Sequence, residues 1–317
     1  MSELDHHPTF DPVAFRQGPF QEIPATPDGW DTLLRLAAMA VTTACGLLML
    51  AVRWWPATVL GVVVLSVACA SIVSAQHECV HRALFRQRWA NDALGVVIGF
   101  LTLIPFAGYR LYHLHHHAHT HDADDSEPVT VGRSVWMWVT TLVGAFHFVR
   151  VISFIWLRAA YTSRNWATVS LAVWSSLAAA ATVAVAVVAA VAVPRWFVLA
   201  WLLPIVLGTV VNGFLTLPEH YGCDYGPEAA IRTTRTVTSN RLGRFVAWNA
   251  NFHAEHHFAP SVPTAHLGRL HELLEPYLEH SESSYFRYHR SLLADVRSRR
   301  FVEEPPWVVR AQAEPQT

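Results

Sequence analysis

Three groups of histidines carry the chemistry of this sequence: His77-Glu-Cys-Val-His81, His113-Leu-His-His116-His117 and His253-Ala-Glu-His256-His257. The first reads H-x-x-x-H and the other two H-x-x-H-H. On a helix, positions i, i+3 and i+4 share one face, so each group presents two or three imidazoles in one direction. Imidazole ligates iron, zinc, copper or nickel. Three such faces converging in space would hold more than one metal ion. A lone histidine is usually a surface or satisfied core residue. Three groups of matched spacing, each following an expected membrane element, point instead to metal binding.

The elements that must position these faces are apolar. Of 317 residues, 52% are hydrophobic, and the mean hydropathy of +0.26 is typical of a membrane protein. A net charge of -1 offers no basic patch for nucleic acid. The chain has no lysine, so all 23 basic residues are arginine. Cys45, Cys69, Cys79 and Cys223 form no C-x-x-C pair, which argues against a cysteine zinc site or an iron–sulfur cluster. They imply no disulfide framework, as suits a reducing cytosol.

Leu36 to Val52 and Ala57 to Ala75 are spanning lengths joined by Arg53-Trp-Trp-Pro56, a hairpin with tryptophans at the turn. Ala167 to Val193 and Trp196 to Leu217 form a second hairpin, with a kink expected at Pro204. Ala93 to Gly108 and Val135 to Leu157 are ambiguous. If either crossed the bilayer, it would separate the histidine groups. The first is short and reads as re-entrant or interfacial. The second carries His147 and Arg150, costly at a bilayer centre, and reads as interfacial. The hairpin turns hold only Arg53 and Arg195, whereas the histidine-bearing segments hold Arg82, Arg86, Arg88, Arg110, Arg133, Arg232, Arg235, Arg241 and Arg244. The positive-inside rule then makes the histidines cytoplasmic.

The expected fold is an all-α integral membrane protein. Four transmembrane helices form two hairpins, with interfacial or re-entrant helices and a cytoplasmic helical cap holding the histidines. Residues 1–32, polar and proline-bearing without a signal-peptide pattern, read as a flexible cytoplasmic arm. Residues 33–300 form the membrane domain, and 301–317 read as a disordered tail. Both termini are expected in the cytoplasm, and the membrane is expected to be a bacterial inner membrane.

Three stretches carry a family resemblance: His77-Glu-Cys-Val-His-Arg-Ala-Leu-Phe85, Tyr109-Arg-Leu-Tyr-His-Leu-His-His-His-Ala-His-Thr120 and Asn249-Ala-Asn-Phe-His-Ala-Glu-His-His-Phe-Ala-Pro260. With Thr234-Arg-Thr-Val-Thr-Ser-Asn240, they make the chain resemble the membrane fatty acid desaturase and hydroxylase superfamily, of the bacterial type, over roughly residues 35 to 275. The resemblance implies a non-haem di-iron centre, O2 as co-substrate, and a lipid or acyl substrate entering from the bilayer. It also implies an external electron donor of ferredoxin or cytochrome b5 type with its reductase. His77, His81, His113, His116, His117, His253, His256 and His257 become the implied iron ligands. His220, placed after the last span as a further family histidine often is, becomes the ninth. Carboxylates should orient these rings. Glu78, Asp122, Asp125, Glu219 and Glu255 are the candidates, while Asp124 and Glu127 read as a solvated loop. His115, His119 and His121 read as surrounding or surface residues. His147, His266, His271, His280 and His289 carry no motif, and His6 and His7 belong to the arm.

The resemblance favours introduction of a double bond into an acyl chain. Hydroxylation of a lipid, alkane or terpenoid C–H bond uses the same ligands and stays open. His77-Glu78-Cys-Val-His81 also reads H-E-x-x-H, the zinc metalloprotease pattern with Glu78 as general base. That reading leaves the two H-x-x-H-H groups unexplained. A metal carrier is a third reading, but transport sites usually sit on broken helices near the bilayer midplane.

Overall fold

In the structure, a computed structural model, residues 10–127, 135–225 and 230–298 are described. The sequence-based expectations for His6, His7 and the tail 301–317 lie outside the described residues. Helix α1 spans Pro12–Gln17, started by Asp11, whose carboxylate accepts from the Val13 and Ala14 amides. Helix α2 spans Gly29–Ala51. It begins seven residues earlier than the apolar pattern suggests, because Asp28 caps it by accepting from the Trp30 and Asp31 amides. Arg35, inside this extension, is neutralised by Asp31 at 2.8 Å and donates to the Phe245 carbonyl at 3.0 Å.

Helix α3 (Trp55–His81) carries the first histidine group as its own last turn, and Arg82 then turns the chain at φ 57°. The polar end of this helix is tolerated because it has partners. Gln76 donates to the Gly95 and Ile104 carbonyls at 3.0 and 3.1 Å. The first carbonyl lies within α4 (Arg88–Thr102) and the second in the bend between α4 and α5 (Phe106–His119), which meet at 108°. The bend follows from Leu103, at φ 58°, and Pro105, which cannot continue a helix. Helix α6 (Val135–Tyr161) follows, itself bent by 47° around residues 144–147.

Arg150, expected to be costly in an apolar setting, is paired inside the protein. It donates to the Thr102 carbonyl at the end of α4 and to the Thr209 hydroxyl, both at 3.0 Å. Gly108 fixes the crossing of α5 on α6. A Cβ there would lie 1.8 Å from the Ser153 carbonyl oxygen, so only glycine permits this approach.

Helix α7 spans Trp166–Ala192, capped by Asn165, and α8 spans Pro194–His220. The expected distortion near Pro204 takes the form of a π-helical turn at Phe197–Leu202 just before it. Helices α2, α3, α7 and α8 are each long and apolar enough to cross a membrane. Much of their surface is exposed Val, Leu and Trp, a covering that calls for an apolar solvent.

The remaining elements are short: α9 (Ala230–Thr233), β1 (Thr236–Val237), α10 (Arg241–Val246), α11 (His253–Phe258), α12 (Leu267–Leu274), β2 (Ser281–Glu282) and α13 (Tyr285–Ser298). The strands β1 and β2 pair in parallel. One core joins Met39, Val73, Ile98, Phe106, Tyr112 and Trp248, where α2 to α5 meet the loop before α11. A second joins Phe252, Phe258, Leu267, Leu270 and Leu274 to Phe15 and Ile23.

That second core corrects the expectation of a loose arm for residues from 10 onward. Phe15 is buried against Phe258, and Arg16 donates to the Phe258 carbonyl at 2.7 Å. The physical reason is that Phe10, Phe15 and Phe20 supply an apolar face which composition averaged over prolines and charges conceals.

Candidate metal centre

Four elements bring the nine candidate histidines to one place. The ends of α3 and α8 supply His77, His81 and His220, α5 supplies His113, His116 and His117, and α11 supplies His253, His256 and His257. They sort into two groups. His77, His81, His113, His117 and His256 offer nitrogens within 4.8 Å of one another, and so do His116, His220 and His257. His253 joins the second group, with its Nε2 2.9 Å from the Nε2 of His220 and its ring 4.6 Å from that of His257. The groups adjoin where His117 and His257 stack at 4.0 Å.

Each H-x-x-H-H segment is therefore split. The i, i+4 pair His113 and His117 serves one group while His116 serves the other. In α11 the pair His253 and His257 serves the second group and His256 the first.

The ring orientations are held from behind. His77 Nδ1 lies 2.9 Å from Glu78, His113 Nδ1 3.0 Å from Glu127 and His116 Nδ1 2.7 Å from Asp125. His253 Nδ1 lies 3.7 Å from Glu219. His257 Nδ1 sits 3.2 Å from the Thr120 hydroxyl, which donates to the His116 carbonyl and can therefore accept from the ring. At His77, His113, His116 and His257 the engaged Nδ1–H leaves Nε2 as a lone pair facing inward. The Nε2 atoms of His77, His81 and His257 are buried without a hydrogen-bond partner among the described residues. Inward-facing Nε2 atoms approach to 3.1–3.2 Å at His113–His117, His117–His256 and His116–His220. Buried lone pairs facing one another are costly unless a cation stands between them, so the donor set fits metal ions. Burial, and then the neighbouring imidazoles, push His253, His256 and His257 well below the ordinary imidazole range. They are therefore held in the neutral, ligating form.

Several expected roles change. Glu127, read as a solvated loop residue, supports His113 instead. Asp122 is exposed and lies 3.9 Å from His119, away from both groups. Glu255 is fully buried but points to the other side of α11, to His271 at 2.5 Å and to the Thr236 hydroxyl. His271 thus anchors the third group's helix. His289 is also buried. Its Nε2 donates to the Phe214 carbonyl at 2.8 Å and its Nδ1 accepts from the Trp138 indole at 3.2 Å. His121 donates through Nδ1 to the Asp224 carbonyl at 2.6 Å, and its ring lies 5.5 Å from that of His220. His115 and His119 stack on each other at 4.3 Å and join neither group. In the sequence, Glu127 differs from Asp122 only by its place in an acidic loop, so no local signal separates them.

A cavity of about 480 Å³ reaches the histidines. Val73, Ser74 and His77 of α3, Tyr109, Tyr112, His113 and His116 of α5, and Thr140, Gly144 and Phe148 of α6 line it. Asn212, Gly213, Thr216, Leu217, Glu219 and His220 of α8 line it as well, with Ala247, Ala250 and His253. Apart from Glu219, named as a carboxylate to orient the rings, sequence reasoning assigned no role to these non-histidine walls.

Residues 53–289 match the model of the family described as fatty acid desaturase. An sn-1 oleoyl-lipid 12-desaturase of Synechocystis sp. is 27% identical over 235 residues, which cover 64% of this chain and 65% of that protein. An sn-1 oleoyl-lipid 12-desaturase of Arthrospira platensis is 24% identical over 218 residues, 59% of each chain. An sn-1 acyl-lipid omega-3 desaturase (ferredoxin) of Nostoc sp. is 31% identical over 74 residues, covering 22% of this chain and 21% of that one. The matched region thus spans less than two thirds of the length of these relatives.

Proposed function

The chain belongs to the fatty acid desaturase family, and from that premise we propose that it is an integral-membrane, O2-dependent di-iron enzyme that introduces a double bond into the acyl chain of a lipid. The observation that carries this reading is the cavity, largely walled by membrane-length helices, which opens on two adjoining all-imidazole groups. The names of the relatives, acyl-lipid desaturases, support the substrate class.

Two iron ions, one per histidine group, would supply the oxygen-activating chemistry when bound. The protein's own contribution is positional. His77, His81, His113, His117 and His256 would hold one ion, and His116, His220, His253 and His257 the other. Glu78, Glu127 and Asp125 fix the rings of His77, His113 and His116, and Glu219 faces His253 from 3.7 Å. The cavity wall holds one stretch of methylenes against the histidines and keeps water away. The lipid would enter laterally between the spans, with the histidines on the cytoplasmic side.

Electrons would come from a ferredoxin or a cytochrome b5 type donor with its reductase, and the Nostoc relative's name carries a ferredoxin. The exposed Arg86, Arg88 and Arg241 would face an acidic donor. Hydroxylation by the same ligand set is the second chemical outcome. The zinc-protease reading loses support from one contact. Glu78 is buried and one of its oxygens receives His77 Nδ1, the place of a ring partner rather than of a solvent-facing base.

The test combines metal analysis with lipid products. Purified holoenzyme should carry two irons, one per group, and membranes containing it should gain unsaturated acyl chains. His116→Ala and His256→Ala should lose iron and activity, while His147→Ala, an exposed position on α6, should lose neither. One zinc and no iron, or full iron and turnover in His256→Ala, would overturn the reading.

A further inference from the structure

Gly144 stands in the interior of the 27-residue helix α6, where glycine weakens a helix relative to alanine. Gly144 stands at the 47° bend of α6, which a glycine eases, but close packing against a neighbour, the other common reason for a helical glycine, fails here. Gly108 and Gly213 admit a neighbouring backbone, with a Cβ falling 1.8 Å from the Ser153 oxygen and 2.5 Å from the Leu142 oxygen respectively. A Cβ at Gly144 would meet nothing within 4 Å. Nor does Gly144 adopt the left-handed backbone that favours glycine. What it borders is the cavity, on a face of α6 shared with Thr140, Thr141 and Phe148 at positions i-4, i-3 and i+4. Here α6 packs on α8, where Leu142 meets Gly213 seven residues before His220, so this level lies roughly 10 Å from the metal centre at 1.5 Å per residue. The missing side chain is therefore cavity volume, in the part of the channel away from the histidines.

We propose that Gly144 is a specificity-determining residue: the space left by its absent side chain admits the far part of a long acyl chain, and so sets the chain length the enzyme accepts. The inference rests on the acyl-desaturase reading above. A side chain at this position projects into the space the chain fills, without displacing any protein atom. Enlarging the residue should therefore discriminate against long chains and leave short ones.

The test is a graded series, Gly144→Ala and Gly144→Leu, as iron-loaded enzyme in host membranes given an equal mixture of myristoyl, palmitoyl and stearoyl phospholipids. The readout is the ratio of desaturated stearoyl to desaturated myristoyl product, which does not depend on how much enzyme is folded. Gly144→Leu should lower that ratio on the order of tenfold or more, the discrimination one excluded methylene commands in an apolar pocket. Gly144→Ala, whose methyl meets no protein atom, should fold with full iron and fall between. An unchanged ratio in active Gly144→Leu enzyme overturns the proposal. If the native enzyme desaturates no acyl chain, the proposed function fails instead, and Gly144 is judged by retention of tritiated stearoyl phospholipid on the purified protein. Weaker retention by Gly144→Leu upholds the role of Gly144 in shaping the cavity, and equal retention overturns it.

Discussion

Replacing Asp125 with alanine is the sharpest test of how the second histidine group is built. Asp125 lies in the turn after α5, its side chain 4% exposed. One oxygen receives His116 Nδ1 at 2.7 Å and the Glu127 amide at 2.8 Å, and the other receives the His121 amide at 2.9 Å. The carboxylate thus fixes the His116 ring and also folds the turn that brings Glu127 to His113. A hydrogen bond to a charged group contributes about 1.5–3 kcal/mol, which corresponds to roughly 10–100-fold in affinity if it is felt at the metal. We expect Asp125→Ala to lose the ion of the His116 group first, in a chelator-competition titration followed by iron analysis. Asp125→Asn keeps an acceptor without the charge and should fall between. The reasoning is refuted if Asp125→Ala binds both ions with native affinity, because His116 would then be oriented by its helix alone.

Three other outcomes follow from the same contacts. Glu78→Gln should weaken retention of the ion held by the first group by on the order of tenfold while leaving lipid desaturation measurable at saturating iron; complete loss of turnover with full iron would restore Glu78 as a catalytic base. Gly108→Ala should destabilise the protein by about 3 kcal/mol or more, seen as a lower thermal midpoint, since the Ser153 carbonyl cannot recede without parting α5 from α6. Burial holds the His289 imidazole below its ordinary value, so the unfolded chain binds its proton more readily than the folded one. Stability from this site is full above that ordinary value of 6.5 and declines as pH falls through it. His289→Asn should therefore flatten the dependence of the thermal midpoint on pH below 6.5, and an unchanged slope would contradict the burial argument.

The histidine segments were legible because their information is local. Spacing at i, i+3 and i+4 decides which face of a helix carries the rings, whatever that face later meets. The four membrane-length helices were legible for a similar reason, as apolar runs report their own length. The ends were less so. Helix α2 starts at Gly29 because of a capping aspartate, and α3 runs through His81 because its polar last turn finds partners on α4. His220 was reached through family resemblance, since one histidine at a helix end has no spacing to read.

Only tertiary structure decided how the rings divide. The crossing of α3, α5, α8 and α11 sends His116 to one group and its neighbour His117 to the other, although the two are adjacent in sequence. The same crossings chose Glu127 over Asp122 as a ring partner, turned Glu255 toward His271, and folded Phe15 onto Phe258. They also opened a cavity beside Gly144 while closing the space at Gly108 and Gly213. A sequence determines a face through the fixed geometry of its helix. What that face meets depends on where distant segments pass, and that is a property of the whole packing.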